Sequence, residues 1–303
     1  MKKKKIVVIG SSNTDLVIKT TRIPSPGETV IGGEFLMTAG GKGANQAVAV
    51  ARLGGDVAFI AKVGHDMFGE SALRGYAADG IDTDTITRDG SAPSGVALIT
   101  VDAHGENCIV VAPGANNSLT TADIDRHREL ICGAEYLLMQ LEIPMEVVEY
   151  AAEMAAAHGV KVILNPAPAA SLSHQLMSKL YLITPNLGEC QMITGVKIDH
   201  PAEVERAAEV LLEMGANAAI ITLGRDGALI RTHTECDLIN AESVVAIDTT
   251  AAGDVFSGAL VVALSEGKNL VDAARFATHA AAISVTRMGA QSSIPYRKDF
   301  LIV

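Results

Sequence analysis

The chain has 303 residues, of which 49% are hydrophobic, and a formal net charge of −11 at pH 7. That length suits one large α/β domain or two smaller ones, and the acidic balance argues against nucleic-acid or membrane-surface binding, because both need a basic face. The four cysteines form no Cys-x-x-Cys pair, so neither a zinc site nor a disulfide framework is indicated. No stretch approaches the ~20 apolar residues that span a bilayer, and the apolar run 6–9 is too short for a signal sequence, so we expect a cytoplasmic protein.

The first elements predict a buried strand followed by a ligand-binding loop. The apolar run 6–9 is typical of a buried parallel strand, and residues 10–15 follow its carboxyl end, where open α/β sheets place their ligands. Asn13 and Asp15 offer an amide and a carboxylate, which suit several hydroxyls of a polyol. Segments 16–19 and 28–37 alternate like strands before any helix, and 95–101 with 107–111 looks like a hairpin; we predict that these form a flap beside the main sheet.

A glycine-rich segment at 40–46, Gly-Gly-Lys-Gly-Ala-Asn-Gln, is predicted to open a helix that ends near Leu53. It is not a P-loop, because Leu36 stands at the first glycine position and Gly43 follows the lysine. It is not a dinucleotide fingerprint either, because Gln46 occupies the third glycine position. What remains is a glycine-lined helix start carrying Asn45, where the backbone can press closely on a ligand.

The middle of the chain alternates between strand and helix patterns. We predict strands at 57–63, 136–140, 161–164, 181–184 and 218–222, with 227–231 beside the last, and helices at 67–78, 120–130, 144–158 and 201–214. Polar residues at the strand ends outline one rim of the sheet: Glu142, Asn165, Asn186 with Glu189, and Thr222 with Gly224. No internal repeat or low-complexity linker divides the chain, so we predict one domain, 1–303, with flap strands at about 16–37 and 95–111.

The segment 248–254, Asp-Thr-Thr-Ala-Ala-Gly-Asp, lies between a strand-like run at 244–247 and an apolar run at 255–264 that we predict to be a buried helix. Small residues at a helix start let an anion approach the unpaired backbone N–H groups. Asp254 would lie in the first turn as an ionised base beside that anion, with its pKa lowered by the helix start. On this stretch alone, an ordinary helix cap is the alternative.

The segments 40–46 and 248–254 together resemble the two signatures of the ribokinase family of carbohydrate kinases, and the likeness extends along the whole chain. The resemblance implies a three-layer α/β fold with a central, mostly parallel sheet flanked by helices. It also implies a small β-sheet lid that pairs with another subunit's lid, and therefore a homodimer.

The activity implied by the resemblance is ATP-dependent phosphorylation of D-ribose at the 5-hydroxyl, giving ribose 5-phosphate. Mg²⁺ would arrive with ATP, assisted through water by Asn186 and Glu189, and K⁺ would act as an activating monovalent cation. Three alternatives stay open: a kinase for 2-deoxyribose, a kinase for another sugar or a nucleoside, and a non-catalytic sugar-binding regulator. The presence of Asp254 and the anion turn favours an enzyme, and Asn13 favours ribose, because an unpaired buried amide is costly.

The resemblance also implies a role for each matching residue. Asp254 corresponds to the catalytic base, and Ala251, Ala252 and Gly253 to the anion turn, where many family members have Gly at the position of Ala251. The ribose-binding set comprises Asn13, Asp15, Gly41, Lys42, Gly43, Asn45, Glu142 and Asp254. The nucleotide-binding set comprises Asn186, Thr222, Gly224, Gly227, Gly253 and Thr278. The monovalent-cation set comprises Asp248, Thr250, Ser284, Arg287, Gly289 and Ser293.

Overall fold

A computed structural model describes residues 5–301. The strands are β1 Lys5–Ile9, β2 Asn13–Lys19, β3 Glu34–Gly40, β4 Asp56–Gly64, β5 Ile86–Asp89, β6 Gly95–Val101, β7 Asn107–Ala112, β8 Tyr136–Met139, β9 Lys161–Leu164, β10 Leu180–Ile183, β11 Ala218–Thr222, β12 Ala228–Thr232 and β13 Cys236–Ile239. The helices are α1 Lys42–Arg52, α2 Met67–Ala78, α3 Thr121–Arg126, α4 Arg128–Cys132, α5 Met145–Ala157, α6 His174–Met177, α7 Leu187–Thr194, α8 Pro201–Glu213, α9 Ala252–Ser265 and α10 Leu270–Val285. Within this range, no helix combines the length and apolar character that crossing a membrane requires.

The main sheet of residues 5–301 has nine strands in the order β13-β12-β11-β10-β9-β8-β1-β4-β5. Its neighbours pair in parallel except β12, which is antiparallel to both β11 and β13. Side chains of β1 alternate between two cores, Ile6 and Val8 on the side of α1 and α9, and Val7 and Ile9 on the side of α5 and α8. The predicted central, mostly parallel sheet flanked by helices is therefore confirmed.

Helices α1 and α9 pack unusually closely on one side of this sheet. A β-carbon at Gly258 of α9 would lie 2.6 Å from the β-carbon of Ala49 and 2.9 Å from the carbonyl oxygen of Gln46. Because no real side chain tolerates such distances, the glycine lets the two helix backbones meet. The start of α1 is thereby brought against the start of α9.

The smaller sheet has the strand order β3-β2-β6-β7, and we call it the lid. Strands β6 and β7 form the predicted hairpin. The predicted strand at 28–37 is wrong in its first half, since β3 begins at Glu34 and extends to Gly40. Gly32 and Gly33 have φ angles of 104° and 135°, which prevent regular extension into that segment.

Other predictions fail where no partner is available or a turn intervenes. The predicted strand at 244–247 is wrong: these residues pair with no strand in the described structure, and Val245 is 85% exposed. Strand β13 is the last strand at that edge of the sheet, and residues 244–247 follow it without pairing to it. The predicted helix at 120–130 is divided at His127 into α3 and α4, although its capping box at Thr120 and Asp123 is confirmed. Four elements, β5, β13, α6 and α7, were not predicted from the sequence.

Candidate active site

The start of α1 is held by groups from two other segments of the chain. Gly41 precedes the helix with φ 88°, a conformation that favours glycine, and a β-carbon at Gly43 would collide with the backbone of Gly10. Glu142 accepts a hydrogen bond from the Lys42 N–H (2.9 Å) and another from the Ser11 hydroxyl (2.5 Å). The glycines therefore permit close packing of this helix start on the backbone that follows β1. The expected close approach to a ligand stays a prediction.

Asp254 lies in the first turn of α9, with only 5% of its surface exposed. Its Oδ2 accepts from the Asn45 side-chain amide (2.9 Å), and its Oδ1 accepts from that of Gln46 (3.0 Å). The close approach of α1 and α9 makes both bonds possible. The carboxylate that the sequence singled out is thus held in one orientation by consecutive residues of the other motif.

An ordered set of amides stands behind this carboxylate. Gln46 also donates to Asn165 Oδ1 (3.1 Å), and it accepts from the Gln140 side chain. Asn165 in turn donates to the carbonyl oxygen of Thr184 (2.9 Å). Because a carbonyl can only accept, this last bond determines the orientation of Asn165 and hence that of Gln46.

Burial is the largest influence on the pKa values of the two aspartates at the site. It raises the pKa of Asp254, against the opposing effects of Lys42, Asn45 and Gln46, so the expected lowering by the helix start is wrong. Burial, with repulsion from Glu142 and Asp254, raises the pKa of Asp15 to about 6. Burial opposes the charged form of Lys42, but the surrounding carboxylates outweigh it, and its pKa is raised. Lys42 therefore stays positive among acidic groups.

The turn before α9 has the geometry of an anion site. Ala251 adopts a left-handed conformation, φ 62° and ψ 6°, which normally favours glycine. No side chain within residues 5–301 caps the start of α9 by a hydrogen bond. The Ala252 N–H donates to the carbonyl oxygen of Thr249 (3.2 Å), and no capping side chain competes with an anion for the N–H groups that follow. Ala251, Ala252 and Gly253 line a cavity of about 200 Å³ together with Lys42 and Asp254.

A second cavity of about 470 Å³ adjoins the first, and the two share Thr222, Thr249, Ala252 and Gly253. Its size is typical of small-molecule sites, and its lining is mainly apolar. Every residue of the predicted nucleotide set lines one or both cavities: Asn186, Thr222, Gly224, Gly227, Gly253 and Thr278. The two cavities can therefore hold the phosphates of a nucleotide at the anion turn and its nucleobase farther out.

Asn186 and Glu189 form a reciprocal capping box at the start of α7 and line the smaller cavity. Burial raises the pKa of Glu189. Within the described residues, no cluster of three or more His, Cys, Asp or Glu side chains could hold a metal ion. An amide and a single carboxylate nevertheless suit Mg²⁺, which keeps several waters and commonly binds through substrate phosphates.

The predicted cation residues are only partly brought together. Asp248 accepts from the backbone N–H of Thr250 (2.9 Å) and from that of Gly289 (2.8 Å), which joins the two loops. The Arg287 guanidinium pairs with Asp299 (3.0 Å). The hydroxyls of Ser284 and Ser293 donate to carbonyls three residues earlier. Oxygen ligands from this loop would therefore be backbone carbonyls.

Several residues of the site were not predicted from the sequence, namely Ser11, Gln46, Asn116, Gln140 and Thr249. Gln46 had a usable signal, because its amide directly follows Asn45 at the same helix start. In the sequence it served only to exclude the dinucleotide fingerprint. For Asn116 and Gln140 no local pattern exists. Their partners lie 104 and 94 residues away in the chain, so only the fold reveals them.

Comparisons with known proteins agree with this architecture. Residues 3–297 match the model of the pfkB family of carbohydrate kinases. The chain is 45% identical to the ribokinase of Haemophilus influenzae (99% of this chain, 98% of that one) and 38% identical to the deoxyribokinase of Salmonella typhi (97% of each). Its fold is similar to that of the Arabidopsis thaliana ribokinase complexed with ribose and ATP, with a TM-score of 0.92 at 29% identity, covering 100% of this chain and 98% of that one. The chain therefore belongs to the pfkB family of carbohydrate kinases.

Proposed function

We propose that this protein is an ATP-dependent kinase that phosphorylates D-ribose at its 5-hydroxyl. The observation that carries the proposal is Asp254, a buried carboxylate held by Asn45 and Gln46 at the edge of an anion-binding turn. A carboxylate in this place can take a hydroxyl proton while a phosphoryl group occupies the turn. The curated relatives named ribokinase, at near-complete coverage, support ribose as the sugar.

In the proposed reaction, the sugar hydroxyl attacks the terminal phosphorus of ATP in line, and Asp254 accepts the hydroxyl proton. The raised pKa of Asp254 makes it a stronger base than an exposed aspartate. The backbone N–H groups of the turn at 251–253, with Lys42, stabilise the charge on the transferred group. Mg²⁺ carried by the nucleotide would neutralise further phosphate charge, near Asn186 and Glu189.

A coupled assay of ADP release tests this function across ribose, 2-deoxyribose, fructose and adenosine. We expect the highest kcat/KM with ribose. The similarity to a deoxyribokinase makes 2-deoxyribose the second candidate, and a higher kcat/KM with that sugar would select it. ADP release that none of these acceptors stimulates would contradict the kinase assignment.

We further propose that the chain works as one kinase domain and pairs through the lid with a second copy. By strand alternation and register, one face of the lid, which we call the outer face, carries Ile18, Phe35, Met37, Leu98 and Val110. All five are exposed in the single chain, and Asp15 points from the opposite face. An apolar face of this kind on a four-stranded sheet is suited to pack against its own copy.

We also propose that K⁺ activates the enzyme from a site beside Asp248. Hydrogen bonds from Thr250 and Gly289 outweigh burial and lower the pKa of Asp248, so it remains ionised. Asp248 lies three residues before the anion turn, so a cation near this carboxylate would help maintain the conformation of the turn without touching the sugar. The carbonyls of the loop 286–293 would supply its remaining oxygen ligands.

A further inference from the structure

Asn116 is a buried side chain, 2% exposed, in the 3-10 turn Gly114–Ser118 that follows the lid hairpin. Its Oδ1 accepts from the backbone N–H of Ser12 (2.8 Å), and its Nδ2 donates to the carbonyl oxygen of Ser12 (3.2 Å). A backbone N–H can only donate and a carbonyl can only accept. The two ends of the Asn116 amide are therefore determined by the backbone.

This orientation determines that of Asn13. The Nδ2 of Asn116 also faces Asn13, at 2.7 Å from its Oδ1. Asn13 must accept at that position, so its Nδ2, which can only donate, is the end that faces away from Asn116. Gly95 leaves room for the contact, because a β-carbon there would collide with both Asn13 Oδ1 and Asn116 Nδ2.

Asp15 lies two residues along the same strand, so its side chain leaves the same face as that of Asn13. Its carboxylate is close enough to Glu142 and Asp254 to be repelled by both. An ionised carboxylate only accepts hydrogen bonds, whereas this orientation of Asn13 offers a donor. The strand therefore presents one acceptor and one donor on the side of the predicted sugar site.

We propose that Asn116 is a specificity-determining residue that holds Asn13 as a donor to a sugar hydroxyl whose own hydrogen goes to Asp15. The proposal rests on the proposed sugar-kinase function and deepens it. A hydroxyl has a single hydrogen, so with the Asn13 amide reversed it would face two acceptors and satisfy only one. Asn116 is thus a positioning residue that acts on substrate choice through Asn13.

Two substitutions reverse the polarity by different routes. Asn116→Asp still accepts from Ser12 but presents an acceptor to Asn13, which would turn its Nδ2 inward. Asn13→Asp accepts from the unchanged Asn116 and presents an oxygen to the sugar. Ser118→Ala is the matched control, because it alters the same 3-10 turn, where the Ser118 hydroxyl bonds Asp89 and Ala115 and not Asn13.

The readout is kcat/KM with ATP for ribose, 2-deoxyribose and 3-deoxyribose. In the unsubstituted protein, we expect deletion of the contacted hydroxyl to lower kcat/KM by about 10- to 100-fold. The preference ratio is kcat/KM for ribose divided by kcat/KM for the sugar that lacks the contacted hydroxyl. In Asn116→Asp and in Asn13→Asp, ribose turnover should fall and this ratio should shrink by about tenfold. Ser118→Ala should retain the ratio, since general destabilisation lowers the activity toward all three sugars alike.

An unchanged ratio in folded Asn116→Asp would overturn the proposal. If that variant does not fold, Asn13→Asp removes the same donor, and an unchanged ratio there overturns it equally. Absence of sugar-stimulated turnover in the unsubstituted protein would instead refute the proposed function. The two failures are therefore distinguishable.

Discussion

Replacing Gln46 by Met tests whether the amide behind the base controls catalysis. The substitution keeps an unbranched chain of similar length but removes the donor to Asp254 Oδ1 and the contacts to Asn165 and Gln140. A hydrogen bond to a charged group contributes about 1.5–3 kcal/mol, which corresponds to about 10- to 150-fold in rate. We expect kcat to fall within that range, with KM for ribose changed by less than about threefold. The acid limb of the pH–rate profile should move to higher pH, because losing a donor raises the pKa of Asp254 further.

Stability provides the second measurement for the same variant. Gln46→Met leaves Asn165 Oδ1 and the Gln140 amide without this partner, at about 1–3 kcal/mol each, so urea unfolding should show a loss of about 2–6 kcal/mol. Gln140→Leu is the matched control: it orphans only Gln46 Oε1 and leaves the Gln46 donor on Asp254. This control should lose stability while keeping kcat within about threefold. Equal losses of kcat in the two variants would refute the role assigned to Gln46.

Four further outcomes are expected. Asp254→Asn should lower kcat by about 10²–10⁴-fold with ribose affinity retained in calorimetry, and near-normal turnover would remove it from the mechanism. Because the pKa of Asp15 is raised to about 6, kcat/KM for ribose should fall as pH drops through 6. The stability that Asp15 contributes is complete below its unfolded pKa and is lost as pH rises through about 6. Asp15→Asn should therefore flatten both the pH profile of kcat/KM and that of the free energy of unfolding. Potassium should stimulate the unsubstituted protein more than sodium, and Asp248→Ala should lose this preference before ribose affinity; equal rates in potassium, sodium and a bulky organic cation would exclude the site. Sedimentation should show a dimer, and Leu98→Glu in the lid should dissociate it. Leu238→Glu is the control and should leave the dimer intact, because Leu238 is equally exposed (57%, against 56% for Leu98) but lies outside the lid. A monomer at micromolar concentration would contradict lid pairing.

The sequence predicted the seven inner strands of the main sheet and not its edge strands β5 and β13, because the signals of the inner strands are local. Continuous apolar runs such as residues 6–9 and 218–221 are buried on both faces, and a strand of that kind needs no knowledge of its neighbours to be recognised. The helix at Met67–Ala78 was predicted with the bounds that the structure shows. Alternation misled at 244–247, since a half-apolar pattern makes a strand only where the fold brings the segment alongside another strand.

The candidate site divides in the same way. The residue types that can do the chemistry, Asp254 with its small-residue turn and the glycine-lined helix start with Asn45, are evident from the sequence, because each motif is contiguous in the chain. Their meeting is decided by the fold, where Gly258 lets α9 approach α1.

The tertiary structure alone decides protonation and polarity. The sequence placed Asp254 at a helix start and therefore indicated a lowered pKa, but burial of the carboxylate has the larger effect and raises it. The orientation of Asn13 likewise depends on Asn116, 103 residues away, and on the backbone of Ser12. Desolvation and hydrogen-bond direction are properties of the packed surroundings, so a linear sequence specifies which groups are present and only the folded chain determines which of them donate, accept or carry charge.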